Sequence, residues 1–102
     1  MRDYMQFYIN GEWVDPATPR SFDVIDPATE EVAGHISLGS DADIDNAVNA
    51  AANAFKTWSV TSKEERLAIL NRIVEEFEKR IPELGEAITE EMGAPKWLAD
   101  GT

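Results

Sequence analysis

The sequence predicts an α+β fold in which β-hairpins are followed by three α-helices. The first indication is the pair Asn10-Gly11, which lies between aromatic and β-branched residues and is typical of a hairpin turn. The second is a stripe of apolar residues that recurs at helical spacing from Thr61 to Gly93. A length of 102 residues with 43% hydrophobic content fits one small domain. We expect strands over about residues 6–37 and helices over about residues 41–93.

The predicted hairpin joins residues 6–9 to residues 12–14 through Asn10 and Gly11. Both turn residues tolerate a positive φ, as a type I′ turn requires. Residues 15–20 contain two prolines and an aspartate, which interrupt strand pairing and indicate a loop.

Two further strand patterns follow this loop. Residues 22–25 end at Asp26 and Pro27, which suit the first two positions of a type I turn over residues 26–29. Residues 31–36 then alternate between two faces, with Val32, Gly34 and Ile36 on one face and Glu31, Ala33 and His35 on the other. The four strand segments fit either a small antiparallel sheet or two separate hairpins, and the sequence leaves both open.

The first helix is predicted to begin after Ser40, whose hydroxyl can accept the backbone N–H three residues on. Asp41 and Asp43 lie in its first turn, where the helix dipole favours negative charge. Trp58 is expected to extend the apolar contact of this helix into the following loop. The apolar stripe of the helix consists of Ile44, Ala47, Val48, Ala51 and Phe55.

The long apolar stripe that follows is predicted to form two consecutive helices. Ser62 and Glu65 have the spacing of a capping box at the start of the first one. Pro82 indicates a break, because a proline inside a helix costs about 3 kcal/mol through a lost hydrogen bond and a steric clash. A single kinked helix is the alternative. Gly93 and Pro95 are expected to end the second helix.

Charge and composition exclude several classes of function. Nine lysines and arginines against twenty aspartates and glutamates give a formal net charge of -11, which opposes binding to nucleic acid and to anionic membranes. The absence of cysteine removes disulfides, thiolate-metal sites and cysteine nucleophiles from this chain. The chain starts without an apolar signal core, and no apolar run approaches the roughly 20 residues of a membrane span. We therefore expect a soluble cytoplasmic protein.

The residues taken alone do not form a recognisable active site. His35 is the only histidine, and one imidazole beside one glutamate on a strand is better explained as a surface or half-buried residue. Adjacent acids such as Glu90 and Glu91 point about 100° apart on a helix, which suits a solvated face better than a shared proton. No glycine-rich phosphate-binding motif is present. The tryptophans are scattered over several segments, which favours packing over ligand recognition: Trp13, Trp58 and Trp97.

Four segments, in order, resemble the NAD(P)-dependent aldehyde dehydrogenase superfamily. Residues 7–13, Phe-Tyr-Ile-Asn-Gly-Glu-Trp, are similar to the family's opening segment, and residues 25–32 are similar to the segment that follows it. The alanine-rich residues 47–58 are similar to the family's first helix, and residues 65–95 are similar to its next helical stretch. The ordered match covers nearly the whole chain, from about residue 6 to about residue 97.

The chain departs from the family pattern at a few positions. Asp26 stands where many members have asparagine, and Glu30 stands where many have glycine. Residues 92–95, Met-Gly-Ala-Pro, replace the more frequent Gly-Lys-Pro and are similar to a bacterial branch.

The resemblance implies the N-terminal portion of an enzyme rather than a complete catalytic domain in residues 1–102. Members of the family oxidise an aldehyde to a carboxylic acid through a cysteine thiohemiacetal, hydride transfer to NAD or NADP, and hydrolysis of the thioester. A cysteine must attack and later leave in this chemistry, and the chain contains none. We therefore expect no catalytic and no cofactor-binding residue in this chain, which alone should be inactive and bind no cofactor. The parent enzyme is expected to be a homo-oligomer.

The resemblance also implies one site within these residues. Family members often bind a structural monovalent cation near the end of the second strand pair. The donors would be backbone carbonyls at positions that match Val24 and Ile25, and an acid that matches Glu91. Carbonyl and carboxylate oxygens are the hard donors that such an ion takes.

Two hypotheses of different classes follow. The preferred one is a bracing N-terminal portion of an aldehyde dehydrogenase, and the alternative is a self-contained acidic helical module that binds a protein partner. Under the preferred hypothesis, some apolar side chains of the helical stripe should be under-buried in this chain, or covered by a neighbouring copy. The side chains concerned are Leu67, Leu70, Phe77, Leu84 and Ile88.

Overall fold

The computed structural model describes residues 2–101, in which five strands precede four helices. This order confirms the predicted α+β class. The chain divides into two units. The first consists of Met1–Val24 and Val32–Val60, and the second of Ile25–Glu31 and Thr61–Thr102.

The predicted hairpin is present in the first unit as β2 (Phe7–Ile9) and β3 (Glu12–Val14). The two strands pair antiparallel, with Tyr8 opposite Trp13. Asn10 has a φ of 55° and Gly11 a φ of 78°. These are the positive values that a type I′ turn needs, so both the hairpin and its turn are confirmed.

Three further strands form a second sheet: β1 (Arg2–Tyr4), β4 (Ser21–Ile25) and β5 (Val32–Ser37), in the order β1-β5-β4. β1 runs parallel to β5, with Asp3 opposite His35. The sequence does not predict β1, because three residues of which two are charged carry no recognisable strand pattern. Of the two alternatives left open above, two separate hairpins is the one that the structure shows, because β2 pairs with β3 in one sheet and β4 lies beside β5 in the other. β1 adds an unpredicted parallel strand to the second pair.

The turn between β4 and β5 lies where it was predicted but closes one residue later. The Asp26 carboxylate accepts the Ala28 N–H at 2.8 Å, and the Asp26 carbonyl accepts the Glu30 N–H at 2.8 Å. Glu30 has a φ of 62°, in the left-handed region that favours glycine. The turn predicted over residues 26–29 therefore extends to Glu30.

The first predicted helix is α1 (Asp41–Trp58), and Ser40 caps it as expected. The Ser40 hydroxyl accepts the Asp43 N–H at 3.4 Å, and the Asp43 carboxylate accepts the Ser40 N–H at 2.9 Å. Trp58 is the last residue of the helix, so the expectation that it lies in the loop is wrong.

The second predicted helix is α2 (Lys63–Lys79), which begins at the predicted capping box. The Ser62 hydroxyl accepts the Glu65 N–H at 3.1 Å, and the Glu65 carboxylate accepts the Ser62 N–H at 2.9 Å. The helix ends at Arg80, so the two-helix prediction is confirmed and the single kinked helix is wrong.

The chain continues as α3 (Ile81–Met92), with Pro82 in its first turn, where a missing N–H costs nothing. Gly93, with a φ of 70°, ends this helix as predicted. A fourth, short helix, which is not among the three predicted ones, follows as α4 (Lys96–Ala99). None of the helices in residues 2–101 has the length and apolar character needed to cross a membrane.

Few apolar side chains are buried. Among the hydrophobic residues that the structure describes, Ala99 alone is fully buried, at 3% exposure. The buried polar residues are Ser37 and Asp43, which lie at the end of β5 and in the first turn of α1. A domain of this size ordinarily surrounds a continuous apolar core. The helices of this chain instead leave much of their apolar surface uncovered.

Candidate functional site

Large apolar side chains form a continuous exposed stripe on the second unit, which we call the α2–α3 face. Its side chains are between 39% and 57% exposed. They follow the helical spacing that the sequence shows, so one side of the helix pair is apolar. The residues of the face are Leu67, Leu70, Ile73, Phe77 and Leu84. The prediction of under-buried residues is confirmed for four of the five named above, whereas Ile88 is half-buried.

A groove of about 770 Å³ runs along part of the α2–α3 face. The groove has an apolar lining and charged residues of both signs. The apolar residues are Ile69, Ile73, Phe77 and Leu84, and the charged ones are Arg72, Glu75, Glu76 and Arg80. Apolar contact surface with charged residues around it is the usual composition of a protein interface. The exposed apolar side chains of the groove fit a packing role.

The first unit has an exposed apolar surface of its own on α1. Ile44, Val48 and Phe55, which belong to the predicted stripe of this helix, are all more than half exposed. The predicted helical period is therefore correct, but the stripe is not covered within the chain. Contiguous exposed apolar surface is uncommon on a monomer and indicates contact with other protein.

The side chains of the three tryptophans remain exposed in the described residues. The Trp13 ring lies against Tyr8, with centroids 5.1 Å apart and planes tilted by 57°. Trp13, Trp58 and Trp97 all remain exposed. The expectation that they are packed is therefore not met by the described residues alone.

His35 has two acidic partners that the sequence analysis missed. Its Nδ1 lies 2.7 Å from Asp3 Oδ1 and its Nε2 lies 3.3 Å from Asp23 Oδ1. The histidine is half-buried, as expected, but its partners come from β1 and β4 rather than from Glu31 on its own segment. A signal for Asp23 was available, because a strand pattern on either side of a turn brings residues 23 and 35 into pairing range. The position of Asp3 depends on β1, which has no such signal.

The environment of Asp43 lowers the pKa of its carboxyl group. Its carboxylate accepts the Ala17 N–H at 2.9 Å, and it also accepts the N–H and the hydroxyl of Ser40. The backbone hydrogen bond from Ala17, followed by that from Ser40, lowers the pKa of this carboxyl below its ordinary value of 3.8. The group therefore joins the loop before β4 to the start of α1, which is a structural role.

The residues of the predicted cation site occupy both units. Val24 belongs to the first unit, and Ile25 and Glu91 belong to the second. Val24 and Ile25 end β4, and Glu91 is an exposed residue of the last turn of α3. Within the described part of the chain, no three acidic, histidine or cysteine side chains are grouped to hold a metal ion. A site made mainly of carbonyls does not need such a group, and the monovalent cation stays a prediction.

Comparison with known proteins gives consistent results. Residues 13–102 match the model of the aldehyde dehydrogenase family. The 3-succinoylsemialdehyde-pyridine dehydrogenase of a Pseudomonas species is 53% identical over 95 residues, which cover 93% of this chain and 20% of that protein. The chain thus spans about a fifth of the length of this relative.

Solved structures agree with the sequence comparison. An aldehyde dehydrogenase from Bartonella henselae superimposes with a TM-score of 0.98 at 49% identity, over 100% of this chain and 21% of that one. Aldehyde dehydrogenase C from Pseudomonas syringae, a point mutant solved with NAD+ and octanal, gives a TM-score of 0.93 at 47% identity, over 96% of this chain and 20% of that one. The chain therefore belongs to the aldehyde dehydrogenase family and corresponds to the N-terminal portion of its members.

Proposed function

We propose that this chain is part of an NAD(P)-dependent enzyme that oxidises an aldehyde to a carboxylic acid. Family membership supports the reaction class. The Pseudomonas syringae relative was solved with NAD+ and octanal, which supports a nicotinamide cofactor and an aldehyde substrate for the complete enzyme. Because the chain spans about a fifth of such proteins, the chemistry would belong to the remaining four-fifths.

We assign these residues a structural, bracing role, in which they pack against the rest of the enzyme and stabilise it. The observation that carries this assignment is the α2–α3 face, whose large apolar side chains remain between 39% and 57% exposed in residues 2–101. Burial of apolar surface stabilises a fold by about 25 cal/mol per Å², so a face of this kind is a strong docking surface. We propose that the rest of the enzyme covers it, together with the apolar side of α1.

The N-termini of α1 and α2 do not suit the phosphates of a nicotinamide cofactor. A dinucleotide phosphate is usually held by free N–H groups at a helix N-terminus after a glycine-rich turn. At the N-terminus of α1, the Asp43 carboxylate accepts the Ser40 N–H. At the N-terminus of α2, the Glu65 carboxylate accepts the Ser62 N–H in the same way. These carboxylates would repel a phosphate, so no step of the reaction is assigned to these residues. The cofactor and the attacking cysteine would be held elsewhere in the enzyme.

An activity assay tests the proposal. The full-length protein that contains this chain should reduce NAD+ or NADP+ in the presence of an aldehyde, and the absorbance at 340 nm reports the reaction. The 102-residue chain alone should show no such activity, since it contains no cysteine. A full-length protein that reduces neither cofactor with a panel of aliphatic and aromatic aldehydes would contradict the proposal. We further propose that the enzyme is a cytoplasmic homo-oligomer, which its mass in solution and cell fractionation would test.

A self-contained interaction module is the second candidate, and the same exposed face is the observation that favours it. The two candidates differ in the expected behaviour of the isolated chain. A bracing portion should self-associate, bind an apolar dye and melt without cooperativity, because its apolar faces lack their partners. A monomer that melts sharply and binds no dye would favour the module.

A further inference from the structure

The hairpin of the first unit is a small sheet of its own. Its strands, β2 and β3, have three residues each and form a two-stranded sheet. The rings of Tyr8 and Trp13 pack against each other across the pair, yet both side chains are 64% exposed. A two-stranded hairpin is marginally stable in water, so this one should open more readily than the long helices of the chain.

The turn of this hairpin presents an asparagine followed by a glycine to solvent. Asn10 is exposed, and the strand pairing ends with Ile9 opposite Glu12, so the Gly11 backbone nitrogen lies outside the paired residues. Within residues 2–101, no atom beyond Gly11 and its chain neighbours lies within 4 Å of the place where a Cβ of residue 11 would be. Side chains therefore do not screen this nitrogen from the amide of Asn10.

We propose that Asn10 is a site of deamidation, in which water is the second reactant. The Gly11 nitrogen attacks Asn10 Cγ and forms an N–Cγ bond. The Cγ–Nδ2 bond breaks, and the side-chain nitrogen leaves as ammonia with the proton of the Gly11 N–H. Water then opens the cyclic imide: hydrolysis at Cγ gives aspartate at position 10, and hydrolysis at the backbone carbonyl gives isoaspartate. No group is oxidised or reduced.

The closed turn opposes this reaction, and opening of the hairpin permits it. The φ values of 55° at Asn10 and 78° at Gly11 belong to a type I′ turn, which fixes the backbone between the two residues. The attack needs rotation of this backbone, so that the Gly11 nitrogen approaches Asn10 Cγ. The rate of deamidation should therefore follow the opening equilibrium of the hairpin.

The two products should affect the hairpin differently. Aspartate before glycine is also favoured in a type I′ turn, so the aspartate product should keep the hairpin closed. Isoaspartate leads the chain through Cγ and adds one methylene to the backbone, which changes the length of the turn and hence the strand register. The isoaspartate product should therefore separate Tyr8 from Trp13.

Mass spectrometry of the full-length protein tests the site. After incubation at mildly alkaline pH and digestion, the hairpin peptide should convert from amide to carboxylate at least about tenfold faster than peptides that carry Asn46 or Asn49. These two are exposed asparagines on α1, followed by alanine, and their backbone is held in the helix. Equal conversion in the three positions would overturn the proposal. Aspartate without isoaspartate would also overturn it, because direct hydrolysis of the side chain passes through no imide.

Substitutions test whether opening of the hairpin is the route. Trp13→Ala removes the ring contact with Tyr8 and should raise the rate at Asn10 by about two- to tenfold. Trp97→Ala, which removes an exposed tryptophan from α4, is the matched control and should leave the rate unchanged. If Trp13→Ala does not fold, Tyr8→Ala removes the same contact. A rate that is unchanged by loss of this contact would overturn the proposed route.

Discussion

The carbonyl oxygen of Arg2 occupies the space in which a side chain at Gly34 would begin. A Cβ built on Gly34 would lie 2.1 Å from this oxygen, far inside van der Waals contact. Glycine is therefore what allows β1 to lie beside β5 in parallel register, with Arg2 opposite Gly34.

Substitution Gly34→Ala should displace β1 from the sheet. The clash is with backbone rather than with a flexible side chain, so overpacking of this kind should cost about 1–3 kcal/mol. Hydrogen exchange of the β1 amides in the full-length protein measures the loss. Gly39→Ala is the matched control, because a Cβ there would meet its nearest atoms at 3.9 Å, which is ordinary contact. Unchanged protection of β1 in Gly34→Ala would contradict this account of the parallel pair.

Substitution Glu30→Gly should stabilise the turn between β4 and β5. Glu30 holds a φ of 62°, and a residue with a Cβ costs roughly 1–2 kcal/mol in this left-handed conformation. We expect a gain of about 1 kcal/mol, after the greater chain entropy of glycine is subtracted. The midpoint of thermal unfolding measures it.

Glu31→Gly is the control for this turn, since Glu31 does not have a positive φ. It should destabilise the protein by about 0.5–1 kcal/mol, because glycine adds flexibility there without relieving strain. A melting temperature that falls equally in both variants would show that the backbone at Glu30 carries no strain.

Local signals in the sequence predicted the local structure well. The turn at Asn10-Gly11, the caps at Ser40 and Ser62, and the break before Pro82 all depend on residues within four positions of one another. Such features follow from backbone preferences and short hydrogen bonds, and these are encoded by neighbours in the chain.

Long-range pairing could not be predicted in the same way. β1 consists of three residues, and it is a strand because Gly34 leaves room for it, which no local pattern of residues 2–4 reveals. The partners of His35 were missed for the same reason. The exposed α2–α3 face was predicted, but only through the resemblance to a longer enzyme, since the helical period alone equally fits a covered core.

Substitution Asp43→Asn should destabilise the first unit at neutral pH. The carboxylate accepts hydrogen bonds from Ala17 and Ser40, and an amide cannot accept through its NH₂ group. Because these bonds lower the pKa of Asp43 in the folded protein below 3.8, its contribution is present above about pH 4 and is lost as pH falls through the lowered pKa. Urea unfolding followed from pH 7 to pH 3 measures the difference.

The expected signature is a difference between the two proteins that narrows as the pH falls, because the unmodified carboxyl then begins to gain a proton. Asp45→Asn, which removes a carboxylate from an exposed position on the same helix, is the control and should have little effect at either pH. A deficit in Asp43→Asn that is the same at pH 7 and pH 3 would show that the charge plays no part.

A monovalent cation bound at the predicted site should raise the melting temperature of the protein. The full-length protein should melt at a higher temperature in sodium or potassium chloride than in choline chloride at equal ionic strength, because only the small ions can be held by carbonyl oxygens and Glu91. Glu91→Gln should reduce this difference, and Glu78→Gln, which removes an exposed carboxylate from α2, should preserve it. Identical melting in the three salts would rule out the site.

The most direct test of the bracing role compares the amides of α2 in two proteins, the isolated 102-residue chain and the full-length enzyme. If the rest of the enzyme covers Leu67, Leu70 and Phe77, hydrogen exchange in α2 should slow by at least about tenfold in the full-length protein, which corresponds to about 1.4 kcal/mol. Equal exchange rates in the two proteins would contradict the account, because the α2–α3 face would then be as exposed in the enzyme as it is in the chain alone.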